Sequence, residues 1–120
     1  MGNRVNFGFQ QSNDNTIFLY GHWAGDRMLE QLADAVSIAR PRWSDESYAT
    51  RIAISRLIGE DWTSETGWGM HVNQIGDNEH KVPIINFEKQ TFKLYQEDLE
   101  TLVFEMPLIN FVNKYATILV

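Results

Sequence analysis

Two kinds of hydrophobic periodicity divide this chain, and the division falls near Asp26 and Gly59. Inside that window apolar residues recur at the spacing of a helix face. Outside it they alternate, or run together in short β-branched and aromatic blocks, as strands do. Strands and helices therefore do not follow one another in regular alternation, and a doubly wound parallel sheet is disfavoured. The pattern predicts an α+β domain. Its antiparallel sheet carries two consecutive helices on one face and a short C-terminal helix, in the order ββααβββ(β)α.

The individual segments follow from that division. Val5, Phe7 and Phe9 alternate in "RVNFGFQ", "QSNDN" is a turn cluster, and "TIFLYGH" is a continuous run; together they predict a hairpin. A helix is expected from roughly Arg27 to Arg40, with Met28, Leu29, Leu32, Ala35, Val36 and Ala39 on its apolar face. Glu30, Gln31, Asp34 and Ser37 fall opposite, and Ile38 sits among them as the exception. Pro41 ends this helix. Ser44 is the expected N-cap of a second helix, which stops at Gly59. Tyr48, Ala49, Ile52, Ala53, Ile54, Leu57 and Ile58 spread around that helix, so either the domain or another subunit must cover it. "GWGMHVNQ" reads as a strand and "IGDNEH" as a turn. "KVPIINFE" and "QTFKLYQ" read as a hairpin around Glu88 and Lys89, and "TLVFEM" as a short strand. "PLINFVNKY" suits a last helix with Pro107 at its start, and the apolar "ATILV" needs a place to pack.

With 120 residues, 43% of them apolar and 22% charged, the chain fits one domain with its own core. Cysteine is absent, which excludes disulfides, thiolate catalysis and cysteine zinc sites. No apolar run is long enough for a membrane span, and the N-terminus lacks the apolar core of a signal peptide. A cytoplasmic protein without membrane contact is the expectation. The net charge of −6 argues against general nucleic-acid binding. Arginine is nevertheless skewed: five of the six lie between Arg27 and Arg56, whereas all four lysines lie at or beyond Lys81. Guanidinium groups suit discrete contacts with carboxylates, phosphates and aromatic faces.

Three stretches qualify as candidate sites. "ARPRWSDESYATR" crowds Arg40, Arg42 and Arg51 around Trp43 and Tyr48. One reading is structural: Pro41 stops a helix, Trp43 staples the junction, and Ser44-Asp45-Glu46 starts the next helix. The other is a ligand site in which Trp43 or Tyr48 stacks a planar group and Arg42 or Arg51 holds an anion. "YGHWAGD" places His22 and Trp23 before a helix start whose amides could hold an anion. "DWTSETGWG" adds Trp62 and Trp68 around Glu65. The candidate ligand-binding residues are therefore His22, Trp23, Arg42, Trp43, Tyr48, Arg51 and Trp68. His22, His71 and His80 lack metal-ligand spacing, no serine sits in a nucleophile elbow, and Glu97-Asp98 reads as a solvated acidic stretch. No catalytic residue, metal or cofactor is expected.

The segments "LYGHWAGDRMLEQLADAV", "ARPRWSDESYATRI" and "SETGWG" together resemble a group of short proteins encoded by tailed bacteriophages and occasionally by bacterial genomes. The resemblance covers most of the chain. It carries over no activity and no functional residue. What it implies is a small accessory protein in a bacterial cytoplasm that acts by binding. The leading expectation is a non-enzymatic binder that sequesters a nucleotide-like anionic signal and so blunts a host defence. The alternative is a protein–protein module that occupies a host protein. A small hydrolase using His22 with Glu65 or Asp45 is a third. The apolar second helix and Ile38 further predict a homo-oligomer, most simply a dimer.

Overall fold

A computed structural model describes residues 2–118. Six strands form one sheet: β1 (Val5–Gln10), β2 (Thr16–Gly21), β3 (Trp68–Val72), β4 (Val82–Asn86), β5 (Thr91–Tyr95) and β6 (Leu102–Pro107). Three helices, α1 (Met28–Ile38), α2 (Glu46–Ile58) and α3 (Leu108–Tyr115), complete the order ββααββββα. The α+β class and the element order are those that the periodicity predicts. Leu119 and Val120, the end of "ATILV", lie outside the described residues.

The sheet order is β3-β2-β1-β4-β5-β6, and every pairing is antiparallel except the central one, in which β1 runs parallel to β4. This pair refines the antiparallel expectation, and its cause is topological. After the β1–β2 hairpin and the helical pair, β3 returns to the outer edge of β2. It then points the same way as β1. The chain must cross back before it can lay β4 on the other side of β1. Residues 73–81, of which 75–80 were expected as a turn, are that crossing. They run over the face of the sheet opposite the helices, where Asn6 holds them. The Asn6 amide donates to the Gly76 and Asp77 carbonyls and to Asn78 Oδ1, and its oxygen accepts from the Gly76 amide at 3.0 Å.

On the helix side, Val5, Phe7, Phe9, Leu19, Ile85 and Phe92 are buried against Leu32, Ala35, Val36, Leu108 and Phe111. Phe92 of β5 and Phe111 of α3 stack with ring centroids 4.0 Å apart. Burial of such rings dominates small cores. α1 and α2 pack on one another, and α3 packs on α1. Ile52, Ile54, Leu57 and Ile58 lie half-buried against the core, so the domain itself takes up much of the apolar circumference of α2.

Two helix boundaries differ from the sequence reading. α1 stops at Ile38, and a 3₁₀ turn, Arg40–Arg42, absorbs Pro41. α2 is capped by Asp45, whose carboxylate accepts from the Tyr48 amide, rather than by Ser44. Either side chain can cap; the extra turn moves the start one residue along. Gly59 does end α2, at φ 59°, where a residue without Cβ is favoured.

Asp34 departs most from its expected place on the polar face of α1. It is 8% exposed, and the segment after α3 closes over it. The Thr117 amide and hydroxyl donate to it at 2.6 and 2.7 Å, and the Ile118 amide at 3.2 Å. Burial disfavours its charge, but these bonds and the Arg56 charge outweigh burial and hold its pKa below the ordinary 3.8. A depressed carboxylate pKa stabilises the fold above the unfolded value and ceases to do so as pH falls through the folded one. Asp34→Ala should therefore cost about 1–3 kcal/mol near neutral pH. In urea unfolding, its difference from wild type should be constant above about pH 5 and shrink as pH drops below the ordinary carboxylate range.

Candidate functional site

A partly enclosed concavity opens where β2 leads into α1, beside the end of α2 and the start of β3. It is a cleft of about 390 Å³ whose lining includes Trp23, Trp68, Gln31, Asp34, Arg56 and Asp61. Each element contributes for a local reason. Gly21 ends β2 against Trp68: a Cβ on Gly21 would meet the indole at 2.9 Å. Gly67 performs the same service for Trp23, whose ring lies 3.0 Å from where its Cβ would be. Gly67 also has φ 96°, a conformation that only glycine adopts without strain. The two glycines thus seat the two tryptophan rings. The His22 amide donates to the Gly67 carbonyl at 2.8 Å and locks the two loops together.

Trp23 is 65% exposed, which is high for an indole held by its neighbours. Trp68 Nε1 donates to Asp61 Oδ2 at 3.4 Å, fixing the ring to the 3₁₀ helix Gly59–Thr63 that follows α2. Arg56, in the last turn of α2, is exposed and enters no ion pair among the described residues. Asp34 has its own partners in Thr117 and Ile118. The cleft thus offers two aromatic rings, one available guanidinium, the Gln31 amide and the Asp61 carboxylate.

The seven residues singled out in the sequence divide among five places. Trp23 and Trp68 meet in the cleft. His22 stands beside it, its ring edge-on to Trp23 at 4.7 Å and its Nδ1 2.7 Å from the Tyr20 hydroxyl. Its ring partner is a phenol rather than Glu65 or Asp45. Trp43 is 8% exposed and belongs to the core, with Nε1 donating to the Val36 carbonyl at 2.9 Å. Arg42 and Tyr48 face solvent together, the guanidinium 5.4 Å from the ring centroid. Arg40 lies similarly over Trp43 at 5.7 Å. Arg51 bonds Ser55 and lines a separate groove between α2 and β3. At Arg40 and Arg42 the crowding thus resolves into cation–π contacts with neighbouring rings, while Arg51 lies apart. The start of α1 is also occupied: the Gly25 amide donates to the Asn3 carbonyl, and the Asp26 carboxylate accepts from the Asn3 side chain.

Gln31, Arg56 and Asp61 were not singled out in the sequence. Gln31 and Asp34 lie three residues apart on one helix, a spacing that puts them on one face. Nothing local ties them to Arg56 or Asp61. Among the described residues, no group of three or more His, Asp or Glu side chains could hold a metal ion, and no helix is long and apolar enough to cross a membrane. Comparison with known proteins finds no matching family, no matching curated protein and no matching solved structure.

The junction can be tested by stability alone. Arg42→Ala should change unfolding free energy by no more than about 0.5 kcal/mol, as for most exposed positions. Trp43→Ala should cost about 3–5 kcal/mol, because it empties a core site and strands the Val36 carbonyl. Urea unfolding of the two variants beside wild type makes the comparison.

Proposed function

We propose that the protein is a non-enzymatic binding protein whose cleft takes a small planar heteroaromatic molecule of nucleotide type. One observation carries the proposal: two glycine-seated tryptophans share a single concavity with Arg56, an exposed arginine with no ion pair among the described residues. Its volume falls within the roughly 300–1,000 Å³ common for small-molecule sites. Trp23 or Trp68 supplies a face for the ring, and base–aromatic stacking contributes about 1–3 kcal/mol per base. Arg56 supplies a charge-assisted donor for one anionic group. Gln31 can both donate to and accept from a base edge. Asp61 and Asp34 repel additional negative charge, so the ligand carries a single phosphate or carboxylate rather than a polyphosphate chain. Sequestering such a signal inside a host accords with the phage-type resemblance. Arg42 and Arg51 have no part in this site.

A second reading, occupation of a host protein, draws on Trp62, which is 78% exposed beside the same region. Isothermal titration calorimetry separates the two. Adenosine, AMP, ADP-ribose and cyclic dinucleotides are titrated into wild type, Trp23→Ala, Arg56→Ala and Arg42→Ala. A singly charged nucleotide should bind wild type best. Trp23→Ala should weaken every ligand. Arg56→Ala should weaken the phosphorylated ones about tenfold or more and leave adenosine nearly unchanged, the loss expected for a hydrogen bond to a charged group. Arg42→Ala should bind as wild type does. No heat across the panel, or equal loss in Arg42→Ala and Arg56→Ala, would overturn the proposal and favour the protein-partner reading.

A further inference from the structure

The two edges of the sheet are protected very differently. β6 carries the charged Glu105, ends in Pro107 and pairs through an irregularity at Leu94/Tyr95. These features discourage further strand pairing. β3, the opposite edge, is "WGMHV", with no permanent charge, no proline and regular pairing to β2. Its hydrogen-bond phase follows from its ends. The His22 amide bonds the Gly67 carbonyl, and the Asn73 amide bonds the Thr16 carbonyl. By the alternation of an antiparallel ladder, Gly69 and His71 also face β2, while Trp68, Met70 and Val72 turn their N–H and C=O groups outward. The side chains of those same three residues lie on the helix-side face, in register with Gly21, Leu19 and Ile17. Met70 is 59% and Val72 62% exposed. Met70 borders a groove of about 300 Å³ between α2 and β3, whose lining includes Ile17, Ile54, Thr50 and Arg51.

We propose that β3 pairs antiparallel with β3 of a second copy, about a two-fold axis at Met70, joining two six-stranded sheets into one. The strand fits itself in this register. Met70 faces Met70, and Trp68 faces the second copy's Val72, so all three outward-facing residues exchange both of their backbone bonds. On the other face, His71 comes opposite Gly69, where an added Cβ meets nothing within 4 Å and an imidazole has room. Each strand contributes a large residue where its partner is small, and no like charges meet although each chain carries a net −6. The two Met70 side chains extend the apolar surface of both Ile17–Ile54 grooves. The second copy's Val72 also comes beside Trp68, a wall of the cleft, so the dimer would complete the open side of that site. The pairing itself requires no ligand, and its test is independent of ligand binding.

Light scattering after size exclusion, on ligand-free protein at about 100 μM, gives the mass directly. Wild type should have twice the monomer mass. Met70→Lys, which sets two ammonium groups face to face at the axis, should be monomeric with an unchanged circular dichroism spectrum. Val72→Pro should also be monomeric and folded, because its lost N–H points away from β2. Val103→Lys, on the β6 edge, should remain dimeric. A monomeric wild type would overturn the proposal and leave the edge to a foreign strand or to solvent. A folded Met70→Lys that stays dimeric would overturn it equally, as would a dimer lost in Val103→Lys and kept in Met70→Lys.

Discussion

One fully buried side-chain amide determines the shape of this sheet. Asn6 is 0% exposed in the middle of β1, and residues 76–78 satisfy its donors and its acceptor together. A buried amide without partners costs roughly 1–3 kcal/mol, so the crossing segment and the asparagine require each other. The Glu79 amide adds a bond to the Arg4 carbonyl at 3.0 Å, continuing the attachment toward the start of β4. Held this way, the chain leaves β3 at one end of the sheet and re-enters as β4 at the other, alongside β1.

Most of the functional geometry depends on that crossing. Had β3 turned directly into β4, the two would have formed a hairpin and β3 would have been an inner strand. Instead β4 lies three positions away, and β3 keeps a free edge. Its first residue, Trp68, then sits at the rim of the sheet, close enough to the β2–α1 loop to share a cleft with Trp23. The same arrangement gives Trp68 two roles. It forms one wall of the cleft, and it is the end of the exposed strand. Ligand binding at the proposed cleft and self-pairing at the proposed β3 edge would therefore meet at one residue, Trp68, and would be coupled through it.

Local order was legible in the sequence wherever one residue's neighbours determine its place. The alternation of Val5, Phe7 and Phe9 gave β1 and its buried face. The spacing of Leu32, Ala35, Val36 and Ala39 gave the inner side of α1. Gly59 and Pro107 marked helix ends that the structure keeps. Asp34 was misplaced because its burial comes from Thr117, 83 residues later, a partner that periodicity along α1 cannot reveal. The role of Asn6 was hidden for the same reason; a single polar residue on the second face of a strand looks solvated until a distant segment covers it. The site was half legible. Trp23 and Trp68 were found as unusual aromatics, but arginines were chosen by nearness to Trp43 in the chain. On α2, Arg51 and Arg56 are five residues apart, about 140° around the helix, so one faces the groove and the other the cleft. Only the position of the helix in the fold decides which.

The cleft and the free β3 edge both rest on β4 lying parallel to β1 with residues 76–78 bound to Asn6. Nuclear Overhauser contacts in isotopically labelled protein report on that arrangement most directly. The account predicts cross-strand contacts between Gly8 and Ile84 and between Phe9 and Ile85, with the Asn6 side-chain amide protons close to Asp77 and Asn78. Contacts between β3 and β4 in a simple hairpin, or an Asn6 amide that sees only water, would contradict it.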